Sequence, residues 1–106
     1  MKDYIKSSGN IFHDMGLPNP EERLAKAKLA AIINRIIEER GLTQKQAAKI
    51  LSINQSKISA IKNGRLKGFS IERLFHFLEA LDQTIDITIT QKSKEKTEKG
   101  VRVAYV

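Results

Sequence analysis

The chain has 106 residues, 41% of them apolar, with no cysteine and a formal net charge of +7. This fits one small domain with short tails, at a size where pairing with a second chain adds stability. The lack of cysteine excludes a disulfide framework and a thiolate zinc site and suits a reducing compartment. No apolar run has the form of a signal peptide or reaches the roughly 18 residues of a membrane span, so a cytoplasmic protein is expected.

Residues 1–18 read as an irregular N-terminal arm, broken at Ser7-Ser8-Gly9-Asn10 and Gly16-Leu17-Pro18, with Ile11, Phe12, Met15 and Leu17 as a candidate apolar clip on the domain. Asn19-Pro20-Glu21-Glu22 is a helix start: an asparagine that can cap, a proline suited to the first helical position, and two acids at the positive end of the dipole. This helix is expected to run to Arg40 and stop at Gly41, with Leu24, Leu29, Ile32, Ile33, Ile36 and Ile37 on its inner face. Thr43-Gln44-Lys45-Gln46 has capping-box form and opens a short helix that ends at Ser52-Ile53. Asn54 caps a third helix that runs to Asn63 and stops at Gly64. After the loop Arg65-Leu66-Lys67-Gly68, Ser70 caps a fourth over 71–81, whose Ile71, Leu74, Phe75, Phe77, Leu78 and Leu81 are core candidates.

The period then changes. Ile85, Ile87 and Ile89 alternate with Thr84, Asp86, Thr88 and Thr90, the pattern of a half-buried strand. Residues 92–106 form a basic tail expected to be mobile, within which 101–106 alternates weakly and is a candidate second strand. The expected organisation is an arm (1–18), a helical domain (19–82), a strand segment (83–91) and the tail (92–106).

The charge is localised. Residues 41–71 hold Lys45, Lys49, Lys57, Lys62, Arg65 and Lys67 and no acid, so this stretch alone carries six of the seven net positive charges. Such a block attracts polyanions. It coincides with a helix-turn-helix pattern over Thr43–Lys67. Ala47, Ala48 and Leu51 line one helix, Ile53 plugs the turn, and Ile58 and Ile61 anchor the next from below. The outer face of that second helix presents Gln55, Ser56, Ser59 and Lys62, the inventory a helix needs to read base edges in the major groove. Gln44, Lys45, Lys57, Asn63, Arg65 and Lys67 are placed to hold the DNA backbone and set register.

The segments Thr43–Ala48, Asn54–Ser59 and Asn63-Gly64-Arg65 resemble the Cro/CI-type (Xre) family of transcriptional regulators. Ser8–Phe12, Gly16–Asn19, Glu22–Ala27 and Gly68–Leu74 are similar to the branch that holds HigA-like antitoxins and their solitary relatives. The resemblance spans residues 8–90. It implies a mainly α, lambda-repressor-like helix-turn-helix bundle of four to five helices, with a C-terminal β-strand used in dimerisation. It further implies a homodimer on an operator in double-stranded DNA, with Gln44 touching the backbone, Gln55 and Ser56 leading base reading, and Ser59 and Lys62 following. Ser52 stands where many such turns have glycine, and Lys45-Gln46 replaces a common acid.

A lone strand cannot satisfy its backbone or bury Ile85, Ile87 and Ile89. Three partners are open: a second copy of the strand, which makes these isoleucines the dimer interface; residues 101–106 folding back; or a strand of another protein, such as a small toxin that the chain would bind and neutralise. His13 and His76 lack ligand companions, so no metal or cofactor is expected. Asp14, Glu38 and Glu39 lack a nucleophile or phosphate loop, so no catalysis is expected. The reading face lacks the stacking aromatics usual for single-stranded RNA.

Overall fold

The computed structural model describes residues 2–6, 19–90 and 103–106. The elements are β1 (Lys2–Lys6), α1 (Asn19–Glu39), α2 (Gln44–Leu51), α3 (Gln55–Lys62), α4 (Ile71–Ala80) and β2 (Asp86–Thr90). All four helices of the sequence reading are present. Three of them begin on the expected side-chain caps. Thr43 Oγ1 accepts from the Gln46 amide while Gln46 Oε1 accepts from the Thr43 amide, completing the capping box. Asn54 Oδ1 accepts from the Lys57 amide, and Ser70 Oγ from the Arg73 amide.

All four helices also end alike. Past each last turn one residue turns left-handed, and the two amides there fold back onto the preceding carbonyls. At α1 the residue is Gly41 (φ 64°), with Leu42 N–H donating to Ile37 O and Gly41 N–H to Glu38 O. At α3 it is Gly64 (φ 74°), with Arg65 N–H donating to Ala60 O. Ser52 (φ 57°) and Asp82 (φ 64°) take the same conformation without being glycine. The turn of the helix-turn-helix thus keeps its geometry with serine in the glycine position.

One apolar core joins the helices. Leu29, Ile33 and Ile36 of α1 meet Ala47, Ala48 and Leu51 of α2, Ile58 and Ile61 of α3, and Leu74, Phe75 and Leu78 of α4. The alanines let α2 pack closely. Among the described residues, Ile33, Ile61, Leu74 and Leu81 are the largest fully buried side chains. One expectation is corrected on α1, and one core residue is added before α4. Leu24 is 54% exposed, because the buried stripe of α1 starts at Ala25 instead. Phe69, one residue before the Ser70 cap, is buried and meets Phe77 edge to face at 5.9 Å between ring centres. Arg40 ties the far ends of α1 and α4, with Nη2 donating to Leu81 O at 2.6 Å and Nη1 3.8 Å from Asp82 Oδ2.

The β-strand is present, and its partner differs from the three considered. β2 pairs antiparallel with β1, with Tyr4 opposite Thr88, Ile5 opposite Ile87 and Lys6 opposite Asp86. Residues Lys2–Lys6, expected to be irregular, are therefore a strand. Ile85 and Ile87 pack half-buried against the helical core from the other direction. Residues 103–106 are not a strand. Val103 packs on the core, and the Arg35 guanidinium lies 5.7 Å from the Tyr105 ring centre. The apolar clip of Ile11, Phe12, Met15 and Leu17, His13, Asp14 and the charged stretch 92–99 lie outside the described residues.

Candidate nucleic-acid interface

α2 and α3, joined by Ser52-Ile53-Asn54, make the helix-turn-helix. Ile53 is half-buried and packs against the core, as a plug for the turn should. With Ile58 and Ile61 turned inward, the opposite side of α3 faces solvent. Gln55, Ser56 and Lys62 are exposed there, and Ser59 is half-buried beside them. The structure thus brings the four expected base-reading residues to one open surface.

Hydrogen bonds set what two of them can offer. Ser56 Oγ donates to Asn54 Oδ1 at 2.6 Å, so its proton is committed to the cap and its lone pairs point outward as acceptors. Ser59 Oγ accepts from Asn63 Nδ2 at 3.2 Å, leaving its proton to donate. The face therefore carries an acceptor at 56, a donor at 59, a carboxamide at 55 and a cation at 62. An acceptor suits the amino groups of adenine or cytosine, and a donor suits purine N7 or thymine O4.

The backbone-contact candidates divide. Gln44, Lys45, Arg65 and Lys67 are exposed, and Lys57 is half-buried. Of the first-turn amides of α2, that of Gln46 is taken by Thr43, which leaves those of Gln44 and Lys45 directed out of the helix end, where a phosphate oxygen fits. Asn63 behaves differently. Its Nδ2 donates to Ser59 O at 2.9 Å as well as to Ser59 Oγ, so the donor a phosphate would use is spent within α3. Asn63 holds Ser59 in place.

Sequence reasoning missed Asn34 and the groove described below. Asn34 Nδ2 donates to Ile61 O, 3.2 Å away, and links α1 to the last turn of α3. A polar residue next to Ile33 within the apolar run that starts at Leu29 was the available signal.

The described residues contain no group of three potential metal ligands and no helix long and apolar enough to cross a membrane. His76 Nδ1 lies 3.6 Å from Glu79 Oε1 on the exposed side of α4.

Two helices crossing through a tight turn, the second with its polar face open, in a stretch (41–71) without acid, define a helix-turn-helix domain. The sequence matches the family of helix-turn-helix domains over residues 11–90, and the chain belongs to it. A solved structure described as an XRE family transcriptional regulator superposes with a TM-score of 0.80 at 42% identity, covering 84% of this chain and 100% of that one. This makes the domain one of XRE type. A comparison with curated proteins gave no match.

Proposed function

We propose that the chain is a transcriptional repressor that reads a near-palindromic operator in double-stranded DNA as a homodimer. DNA-binding regulation of transcription follows from the helix-turn-helix family and the XRE-type relative. The observation that carries the reading is the exposed face of α3, with Gln55, Ser56, Ser59 and Lys62 together and no acid anywhere in 41–71. Two such helices would enter successive major grooves about 34 Å apart. Lys45, Lys57, Arg65 and Lys67 would neutralise phosphates, so log K should fall with log salt by about 0.9 for each contact. Arg65→Ala should then weaken all duplexes alike and flatten that slope. Salt-independent binding would sink the reading.

The sheet supports the dimer. A two-stranded sheet leaves the outer edge of each strand open to a further strand. A copy of β2 added there would extend it through main-chain hydrogen bonds, while Ile85 and Ile87 stay packed on the helical core. The same edge supports a second reading, an antitoxin that binds and neutralises a small toxin and represses its own operon. Mixing the chain with the product of an adjacent small gene tests it: failure to bind or neutralise removes the antitoxin role and leaves the regulator. Either role is exercised in the cytoplasm.

A further inference from the structure

A groove of about 990 Å³ separates the first turns of α1 from the loop that leaves the reading helix. Glu22, Arg23 and Lys26 form one wall, and Arg65, Leu66 and Lys67 belong to the other. Four cations thus face one acid, and that acid is engaged: Glu22 Oε1 lies 3.6 Å from Lys26 Nζ. Arg23, Arg65 and Lys67 are exposed, whereas the Lys26 side chain is only 14% exposed. Gly64 and Gly68 flank the loop, and among the described residues a Cβ added at either would meet nothing within 4 Å, so the described wall leaves room for a chain passing along it. None of the four base-reading residues lines the groove.

The groove is continuous with the reading surface. Arg65 and Lys67 follow α3 after Asn63 and Gly64, so a DNA strand flanking a major groove that received α3 would pass this loop next. The phosphates beyond it would then lie between the loop and α1. We infer that the groove seats the DNA sugar–phosphate backbone, with Arg23 as a further phosphate contact and Glu22 as a brake that holds Lys26 away from it. The inference rests on the DNA-binding reading of α3 and extends the footprint to a helix outside the helix-turn-helix. Arg23 and Lys26 lie outside the acid-free block, which is why charge counting along the sequence passes over them.

The experiment uses the full chain and a duplex that the wild type enriches from a random pool. Affinity is measured across roughly 50–200 mM salt for wild type, Arg23→Gln and Glu22→Gln, with circular dichroism confirming that each variant is folded. Arg23→Gln should weaken binding severalfold, flatten the slope of log K against log salt by about 0.9 and leave base preference unchanged. Glu22→Gln should do the opposite, tightening binding and steepening the slope as Lys26 becomes free. Wild-type binding that neither substitution alters overturns the inference and leaves the reading of α3 intact. Thermal stabilisation by millimolar inorganic phosphate that Arg23→Gln abolishes, with DNA affinity unchanged, assigns the groove to a free anion and also overturns it. A wild type that binds no duplex overturns the DNA reading and this inference together.

Discussion

Asn34 in α1 donates from Nδ2 to the backbone carbonyl of Ile61, 3.2 Å away in the last turn of α3. The same carbonyl accepts from the Gly64 amide, so one oxygen both closes the reading helix and ties it to the scaffold. Asn34→Ala should cost about 0.5–1.5 kcal/mol, the net worth of one hydrogen bond. Asn34→Asp should cost more, because a carboxylate facing a carbonyl cannot donate. Thermal melts give the order, and amide exchange should quicken more in α3 than in α4. Equal stability of both variants and wild type would remove this link from the account.

Asn54 holds two groups through one oxygen: the Lys57 amide at 2.9 Å and the Ser56 hydroxyl at 2.6 Å. Asn54→Ala should destabilise by about 1 kcal/mol and free the Ser56 hydroxyl to rotate, relaxing preference at the base it meets. Asn54→Asp should keep the cap and the melting temperature while weakening DNA binding through its added charge. Stability and affinity moving together in both variants would contradict the separation of roles.

Ser52 occupies the left-handed region at φ 57°. An L residue there carries a steric cost of about 1–2 kcal/mol, part of which glycine loses again through its freer unfolded chain. Ser52→Gly should therefore stabilise by about 0.5–1 kcal/mol, raising the melting temperature by several degrees in a domain this size. A lower melting temperature would show that serine makes a compensating interaction at the turn.

The helix-turn-helix was legible because its signals are local. Thr43 with Gln46, Asn54 three residues before Lys57, and Gly64 past the last turn each fix a boundary within one turn of helix. β1 was not, because Lys2-Asp3-Tyr4-Ile5-Lys6 has no apolar alternation and its partner lies at the other end of the chain, in the register Lys2 to Thr90 and Lys6 to Asp86. Leu24 was misplaced because Ala25, a weak hydrophobic signal, occupies the buried stripe. Phe69 was not assigned to the core, although an apolar residue before an N-cap, followed by Leu74 five positions on, has the form of a hydrophobic staple. On the outer face of α3, the exposure of Gln55, Ser56 and Lys62 was legible and the hydrogen-bond polarity was not: which serine donates depends on Asn54 and Asn63, which the sequence alone does not orient.

Deleting residues 1–6 removes β1 and leaves β2 without its partner strand. Amide exchange across Asp86–Thr90 should accelerate while α3, held by Ile58 and Ile61 in the core, stays protected. Unchanged protection of β2 would mean that another strand pairs with it in solution.

The central claim is that the outer face of α3 reads DNA sequence. Selection of bound duplexes from a random pool, run in parallel with wild type and Gln55→Ala, tests it most directly. The wild type should enrich a near-palindromic motif with half-sites about one helical turn apart. Gln55→Ala should enrich the same motif with one position per half-site relaxed, a loss of about 1–3 kcal/mol in discrimination there. No enriched motif from the wild type, or an identical motif from both proteins, would contradict the account.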